Sequence, residues 1–315
     1  MNAIRCFSDD HHHFSGTHYV ISEDVDLLVS RWCERMKLTV PTPDFYARLR
    51  LKMQIFLESI FSKVTFISSR EIRQGLLEVV ALQRHAGLTT VSLERAYLED
   101  GEIDGRIELT RAVDSWGNDV VIPSVRNGTR SKVAQFSSLR GKNIALIDDV
   151  VFSGKTLIGT IAELHRYHAN VYSVSAAIGV KSGVDNLRKA VFGVVGQPKE
   201  MTIDCLEEFD GLEDQVCERD FYPGIPYSGR EHMCGLGSIP YVLPFGKPEK
   251  WASIPVDKTA SFSRLCFENT IDLFKEIERL NGIQIPYSLI QRPVFGLPRN
   301  NEHFVSLLEK SLKNV

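Results

Sequence analysis

The chain has 315 residues, 43% apolar and 24% charged, the balance of a soluble globular protein with room for one large or two medium domains. A formal charge of −3 and a pI near 6.3 exclude a global basic field that would recruit nucleic acid, and no apolar run approaches the roughly 20 residues that span a bilayer. The six cysteines (Cys6, Cys33, Cys205, Cys217, Cys234, Cys266) lie far apart without a CxxC pair, so free thiols in a reducing cytoplasm are expected rather than a disulfide frame or a zinc site.

Residues 1–23 read as a polar, irregular arm. Its adjacent His11, His12 and His13 could not face one metal from a regular element. Helical spacing follows from Asp24 to Met36, where Val25, Leu28, Val29, Trp32 and Cys33 recur on one face, and again from Phe45 to Ile60 after the stop at Pro41 and Pro43, with Asp44 as N-cap. A third helix opens at Ser69 and runs to about His85, ended by Gly87. Residues 1–86 are therefore an arm and a helical lead-in, with Val64–Ser68 open as a strand.

Strand-like runs come next at Thr89–Leu93, Ile107–Val113 and Val120–Val125, separated by turn-rich stretches at 99–105 and 114–118. The unit after them has more definition. A strand at Asn143–Ile147, a loop through Gly154, a helix at Lys155–His168 and a strand at Val171–Val180 make a β-loop-α-β unit. That is the building block of a parallel sheet flanked by helices, so the fold class is α/β, with its core in 87–196. Residues 197–315 form an extension rich at first in Gly, Pro, Tyr and acids, with one long amphipathic helix at 261–281.

The chemistry concentrates in Ile144-Ala-Leu-Ile-Asp-Asp-Val-Val-Phe-Ser-Gly-Lys-Thr156. Four apolar residues make a buried strand that stops at two carboxylates, Asp148 and Asp149, at the carboxyl end where open α/β sheets bind ligands. The loop from Phe152 to Thr156 then enters a helix, and its backbone amides, the Ser153 and Thr156 hydroxyls and the helix dipole suit a phosphate dianion. Gly154 lets the backbone close around that phosphate. Paired acids beside a phosphate nest point to a sugar phosphate, the acids holding vicinal hydroxyls. A Walker A loop is excluded because Asp149 stands where its upstream glycine should be.

This pattern of strand, two acids, two apolar residues, a variable position and Ser-Gly-Lys-Thr resembles the signature by which type I phosphoribosyltransferases bind 5-phosphoribosyl 1-pyrophosphate (PRPP). The resemblance is specific over roughly residues 139–182. It implies that Asp148 and Asp149 contact the ribose hydroxyls, directly or through Mg²⁺. It also implies that Val150, Val151, Phe152, Ser153, Gly154, Lys155 and Thr156 form the PRPP-binding segment, with Phe152–Thr156 around the 5-phosphate. The flanks look most like the hypoxanthine-guanine branch, where the variable position is an acid near the purine; here it is Phe152, which cannot accept a proton. Lys181 stands where that branch places a lysine on the purine carbonyl, and a surface lysine closing a strand is the alternative reading. The resemblance also calls for a pyrophosphate-binding loop. Arg126, Asn127, Gly128, Thr129 and Arg130 are the preferred candidate and Ser68–Glu71 the competitor, with helix capping as its other reading.

The long extension could supply a hood over a nucleobase, with Asp220, Phe221, Tyr222 and Arg230 as its candidate residues; the same composition also builds a rigid structural loop. Its layout is similar to divergent phosphoribosyltransferases of bacterial conflict systems, including retron effectors. That resemblance implies a toxin effector in antiviral defence, restrained by an inhibitory protein or ribonucleoprotein of the retron reverse transcriptase and msDNA type. The lead-in at 24–86 would be the contact, its apolar faces not all buried in one chain. A homo-oligomer, base salvage and a non-catalytic PRPP sensor stay open as well.

Overall fold

The computed structural model describes residues 18–113, 119–123, 130–192, 201–209, 215–217, 229–233, 235, 237–290, 293–297 and 300–315. The chain opens with β1 (His18–Glu23), α1 (Val25–Met36), α2 (Pro43–Glu58), β2 (Lys63–Ser68) and α3 (Ser69–His85). Next come β3 (Thr89–Ser92), β4 (Gly105–Arg106), β5 (Leu109–Val113), β6 (Asp119–Pro123) and α4 (Lys132–Ser137). The middle holds β7 (Asn143–Val151), α5 (Lys155–Arg166), β8 (Asn170–Val180), α6 (Lys181–Phe192) and β9 (Thr202–Phe209). Last are β10 (Gln215–Cys217), β11 (Arg230–His232), β12 (Ser238–Ile239), α7 (Pro248–Trp251), α8 (Thr259–Asn281) and α9 (Phe304–Leu312).

The central element is a five-stranded, all-parallel sheet in the order β4-β3-β7-β8-β9. Parallel sheets are stable when both faces are covered, and here they are. On one face Leu157, Ile161 and Leu164 of α5 and Val184 and Leu187 of α6 pack on Ile144, Leu146, Val171 and Val174. On the other, Ile72, Leu76 and Val80 of α3, spaced four residues apart, meet Ile147, Val150, Ile178 and Val180. A strand covered on both sides reads as an unbroken apolar run, and Ile144–Ile147 is fully buried.

Three details depart from expectation. β7 does not stop at Ile147 but runs through both acids to Val151, because Val150 and Val151 keep pairing with Ile178 and Gly179 of β8. α6, unforeseen, follows β8 with no connecting residue and buries Val184, Leu187 and Val191. β9 joins the sheet from beyond residue 196, at the far edge next to β8.

Residues 64–68 take the strand reading: they lie in β2, which pairs in parallel with β1, a strand the polar arm had hidden. Thr42 stands at the N-cap position of α2 without a side-chain cap bond, Pro43 is in the first turn, and Asp44 lies inside that turn, where its charge suits the dipole without being the cap. Ser68 and Glu71 form a capping box on α3, Ser68 Oγ accepting the Arg70 amide at 3.2 Å and Glu71 accepting the Ser68 amide at 3.3 Å. That is the helix-capping reading of the segment.

The first two helices share a core with the end of the chain. Trp32, Phe45, Tyr46, Leu49 and Met53 cluster with Phe262, Phe267, Phe274, Tyr287 and Phe304. The rings of Trp32 and Phe274 lie 5.7 Å apart, and Phe304 meets Phe274 edge-on at 4.7 Å. Most of the apolar surface of α1 and α2 is thus buried within the chain; Leu51 and Ile55 on one face of α2 are exposed. Among the described residues no helix is long and apolar enough to cross a membrane.

Phe267→Ala, at a fully buried ring, is expected to cost about 3–5 kcal/mol, whereas Leu51→Ala should stay within about 0.5 kcal/mol. Urea denaturation of the two variants checks this difference.

Candidate functional site

Beyond Ile147, β7 keeps β8 as a neighbour but has no register partner in β3. In this four-residue overhang stand Asp148 and Asp149, both half-buried. Asp148 Oδ1 accepts the Asp149 amide at 3.0 Å, and Asp149 Oδ1 accepts the Val150 amide at 2.9 Å. One oxygen of each carboxylate therefore orients its own strand.

Phe152 and Ser153 are exposed, while Gly154 is buried in the left-handed region at φ 74° and caps α5. The Ile158 amide bonds the Gly154 carbonyl at 2.9 Å and starts the helical ladder. The amides before it sit at the positive end of a twelve-residue helix with no acid in its first turn. A Cβ at Gly154 would lie 2.7 Å from the Gly183 carbonyl, and one at Gly183 would lie 2.1 Å from the Phe152 carbonyl. The first constraint on Gly154 is thus the chain itself: its φ and its contact with α6 demand glycine before any ligand does. Lys181 is exposed and opens α6 two residues before Gly183, so the topology brings it beside the 152–154 loop.

The loop after β3 is a feature that sequence reasoning missed. The Leu93 amide bonds the Ile147 carbonyl at 2.8 Å, which sets Leu93–Leu98 alongside the overhang of β7. Glu94 is 3% exposed, and its carboxylate accepts the amides of Tyr97 and Leu98, both at 2.8 Å. Burial pushes the Glu94 carboxyl above the usual carboxylate range; the Tyr97 amide opposes this, the Asp149 charge adds to it, and Leu98 and Arg106 oppose it. Arg95 Nη2 lies 2.6 Å from Glu108 Oε1. The only local signal was an acid and a cation directly after a short strand; that this strand neighbours β7 follows from the sheet order.

Of the other candidates, Arg126–Thr129 and Asp220, Phe221 and Tyr222 lie outside the described residues. Arg130 is exposed and lines a cavity of about 320 Å³ with Asp100, Asp104, Arg106, Glu108 and Gln135; none of Asp148–Thr156 lines it. The preceding strand, β6, belongs to a separate four-stranded sheet, β12-β11-β5-β6. Arg230 is 8% exposed, its guanidinium 5.4 Å from the Trp251 ring and 5.8 Å from that of Tyr241. It is buried as a cation against two adjoining aromatic rings, which lie 6.0 Å from each other.

Among the described residues no group of three or more His, Cys, Asp or Glu is placed to hold a metal. The Asp148–Asp149 pair nonetheless fits Mg²⁺ in donor chemistry, since that ion is usually held by one or two carboxylates, waters and substrate phosphates.

No protein-family model matches the sequence, and no curated protein matches it. Over part of its length the chain is similar to several solved structures. One is adenine phosphoribosyltransferase from Trypanosoma brucei in complex with AMP, pyrophosphate and ribose-5-phosphate, at 14% identity over 44% of this chain and 65% of that one, TM-score 0.31. Others are APRTase from Giardia lamblia complexed with 9-deazaadenine, at 14% identity over 45% and 80%, TM-score 0.31, and purine phosphoribosyltransferase from Pyrococcus horikoshii, at 14% identity over 47% and 88%, TM-score 0.29.

Gly154→Ala should destabilise by about 1–3 kcal/mol, from the left-handed φ and the close carbonyl, and Gly183→Ala should displace the 152–154 loop. Melting temperatures compared with Ser153→Ala, which removes only an exposed hydroxyl and should melt like the unsubstituted protein, test the packing role of both glycines.

Proposed function

We propose that this chain binds PRPP, or a closely related ribose phosphate or nucleotide, and acts on it at the anomeric carbon as a phosphoribosyltransferase-type enzyme. The observation that carries this reading is the continuity of β7 into α5: two carboxylates in an open strand overhang, then a glycine turn, then the amino end of a helix. The acids suit the 2- and 3-hydroxyls of a ribose, and the Ser153–Thr156 amides and hydroxyls suit its 5-phosphate.

Substitution at an anomeric carbon passes through an oxocarbenium-like state and requires neutralisation of the departing pyrophosphate. Mg²⁺, when bound at Asp148 and Asp149 together with phosphate oxygens, would supply part of that charge. Arg95 is our assignment for a protein cation on the leaving group. Its loop follows the strand next to β7, whereas the strand before Arg126–Arg130 lies in the other sheet. Asp148 and Asp149 hold the sugar, Lys181 lies beside the same loop for an acceptor, and Phe152, 39% exposed, offers an aromatic face in place of an acid.

The setting we infer is a bacterial antiphage system, with the chain as an effector restrained by a protein or ribonucleoprotein partner. Support comes from Phe152, which provides no base for ordinary purine chemistry, and from the body formed by α1, α2, α8 and α9 outside the sheet. Lys181 favours a second reading, salvage of a free nucleobase.

Asp148→Asn combined with Asp149→Asn should abolish PRPP binding in calorimetry while leaving the circular dichroism spectrum unchanged, at about 1.5–3 kcal/mol for each charge-assisted bond. Ser153→Ala with Thr156→Ala should weaken binding by only about 0.5–1.5 kcal/mol per hydroxyl, because backbone amides remain. Undiminished binding by the double asparagine variant would remove the sugar-hydroxyl assignment.

Expression of the chain alone should arrest bacterial growth, and the double asparagine variant should not. Harmless expression together with rescue of a purine auxotroph on guanine or hypoxanthine would replace the effector reading with salvage.

A further inference from the structure

The buried segment Glu94–Leu98 is tied down by hydrogen bonds as well as by packing. Guanidinium groups from three separate elements donate to its carbonyl oxygens. Arg106 of β4 donates to Glu94 and, at 2.9 Å, to Leu98; Arg31 of α1 donates to Ala96; Arg73 of α3 donates to Tyr97. Inside the loop, the Glu94 carboxylate takes the Tyr97 and Leu98 amides. The Tyr97 hydroxyl donates to the buried Asp24, the residue before α1.

The arginines are themselves fixed. Arg73 makes a two-pronged pair with Glu102 at 2.9 and 2.6 Å, which holds the Glu102 carboxyl below the usual range. Arg106 Nε bonds Asp100 at 2.9 Å, and Arg31 has Glu99 at 3.7 Å. Ala96, Tyr97 and Leu98 are buried in one cluster with Ile147, Val150 and Ile178, so the loop's carbonyls are cut off from water and depend on these guanidinium groups for their hydrogen bonds. The arrangement has a consequence for the backbone. A peptide unit is planar, so holding the carbonyls of Glu94 and Ala96 fixes the amides of Arg95 and Tyr97 on the opposite side. The loop therefore reaches the overhang of β7 with its backbone directions already set.

We propose that Arg31 and Arg73 are positioning residues for the ligand's pyrophosphate end, and that the lead-in helices α1 and α3 are thereby part of the binding site. They touch no ligand. They hold the Glu94–Leu98 loop, and with it the Arg95 backbone, in place alongside the overhang of β7, so that binding need not order it. This rests on the PRPP-type reading above and extends it. Affinity for the leaving group is set by two helices outside the sheet's own strand-helix repeats, and whatever shifts α1 or α3 shifts that affinity.

The test measures binding of PRPP and of ribose 5-phosphate by calorimetry with Mg²⁺, using the full chain, Arg31→Ala, Arg73→Ala and the milder Arg31→Lys and Arg73→Lys. Arg279→Ala, at an exposed pair with Glu276 on α8, is the control. Hydrogen exchange at the Tyr97 and Leu98 amides reports on the loop. The expected result is a loss of roughly tenfold or more in PRPP affinity for each alanine variant. Ribose 5-phosphate should stay within about twofold, loop exchange should quicken, and lysine should restore part of the loss; the lysine variants alone decide the matter if the alanine variants do not fold. Unchanged PRPP affinity with a loosened loop, or equal loss for both ligands, overturns the positioning role and leaves the Asp148–Thr156 reading standing. Failure of the unsubstituted chain to bind either ligand overturns that reading and the positioning role with it.

Discussion

The site depends on a stagger between neighbouring strands. β3 and β7 run together only from Thr89 and Ile144 to Ser92 and Ile147, while β8 follows β7 to Val151. A strand that loses one neighbour has backbone groups to satisfy on that side, and the carboxylates of Asp148 and Asp149 each take the amide of the following residue. The same stagger lets Leu93–Leu98 turn away from the sheet beside the acids. Were β3 four residues longer, the overhang would be ordinary sheet, with neither the place for two half-buried acids nor the loop that faces them.

Two close backbone approaches then fix the rest. At Gly154 and Gly183 the loop after β7 rests on the first turn of α6, where any Cβ would meet a carbonyl oxygen. At Glu94–Leu98 the loop after β3 is held by guanidinium groups on its carbonyls as well as by the packing of Ala96, Tyr97 and Leu98 in the core. The difference has an electrostatic side. A half-buried pair of acids with Glu94 close by is a negative environment, and a phosphate ligand would be repelled unless cations and amides were fixed nearby. The amino end of α5 offers such amides next to the overhang, and Arg95, paired with Glu108, is the cation proposed for the leaving group.

How much of this was legible varies with how local each signal is. The strand, the acids, the glycine and the start of the following helix lie in one stretch of thirteen residues, and their order alone suggested the proposed chemistry. α1, α2 and α3 announced themselves through helical spacing, while Ser68–Glu71 left two readings open, a pyrophosphate loop or a helix cap, and forms a capping box in the structure. β1 was obscured because its fully buried Tyr19, Val20 and Ile21 sit directly after a polar arm. α6 carried a periodic Val184, Leu187 and Val191 that a strand running without pause into a helix made hard to separate. The Glu94–Leu98 loop could not be found by spacing, since its importance comes from β3 lying next to β7 across more than fifty residues of sequence. Arg230 is a further case: its aromatic neighbours Tyr241 and Trp251 were visible in the sequence, but composition does not reveal that its guanidinium is buried against them.

The lead-in has two loyalties, and this gives it mechanical meaning. α1 and α2 bury their large residues against α8 and α9, while α3 covers the sheet beneath β7 and β8. Arg31 and Asp24 stand at the junction, on or next to α1, and both reach into the loop beside the acids. A helix committed on one face to an aromatic core and on another to a ligand-side loop cannot shift without straining one of them, because packed cores resist small displacements. A partner that gripped the α8–α9 body, or the exposed Leu51 and Ile55 of α2, would therefore have a direct physical route to the site through α1. The chain's apparent accessory parts are in this sense the supports of its central one.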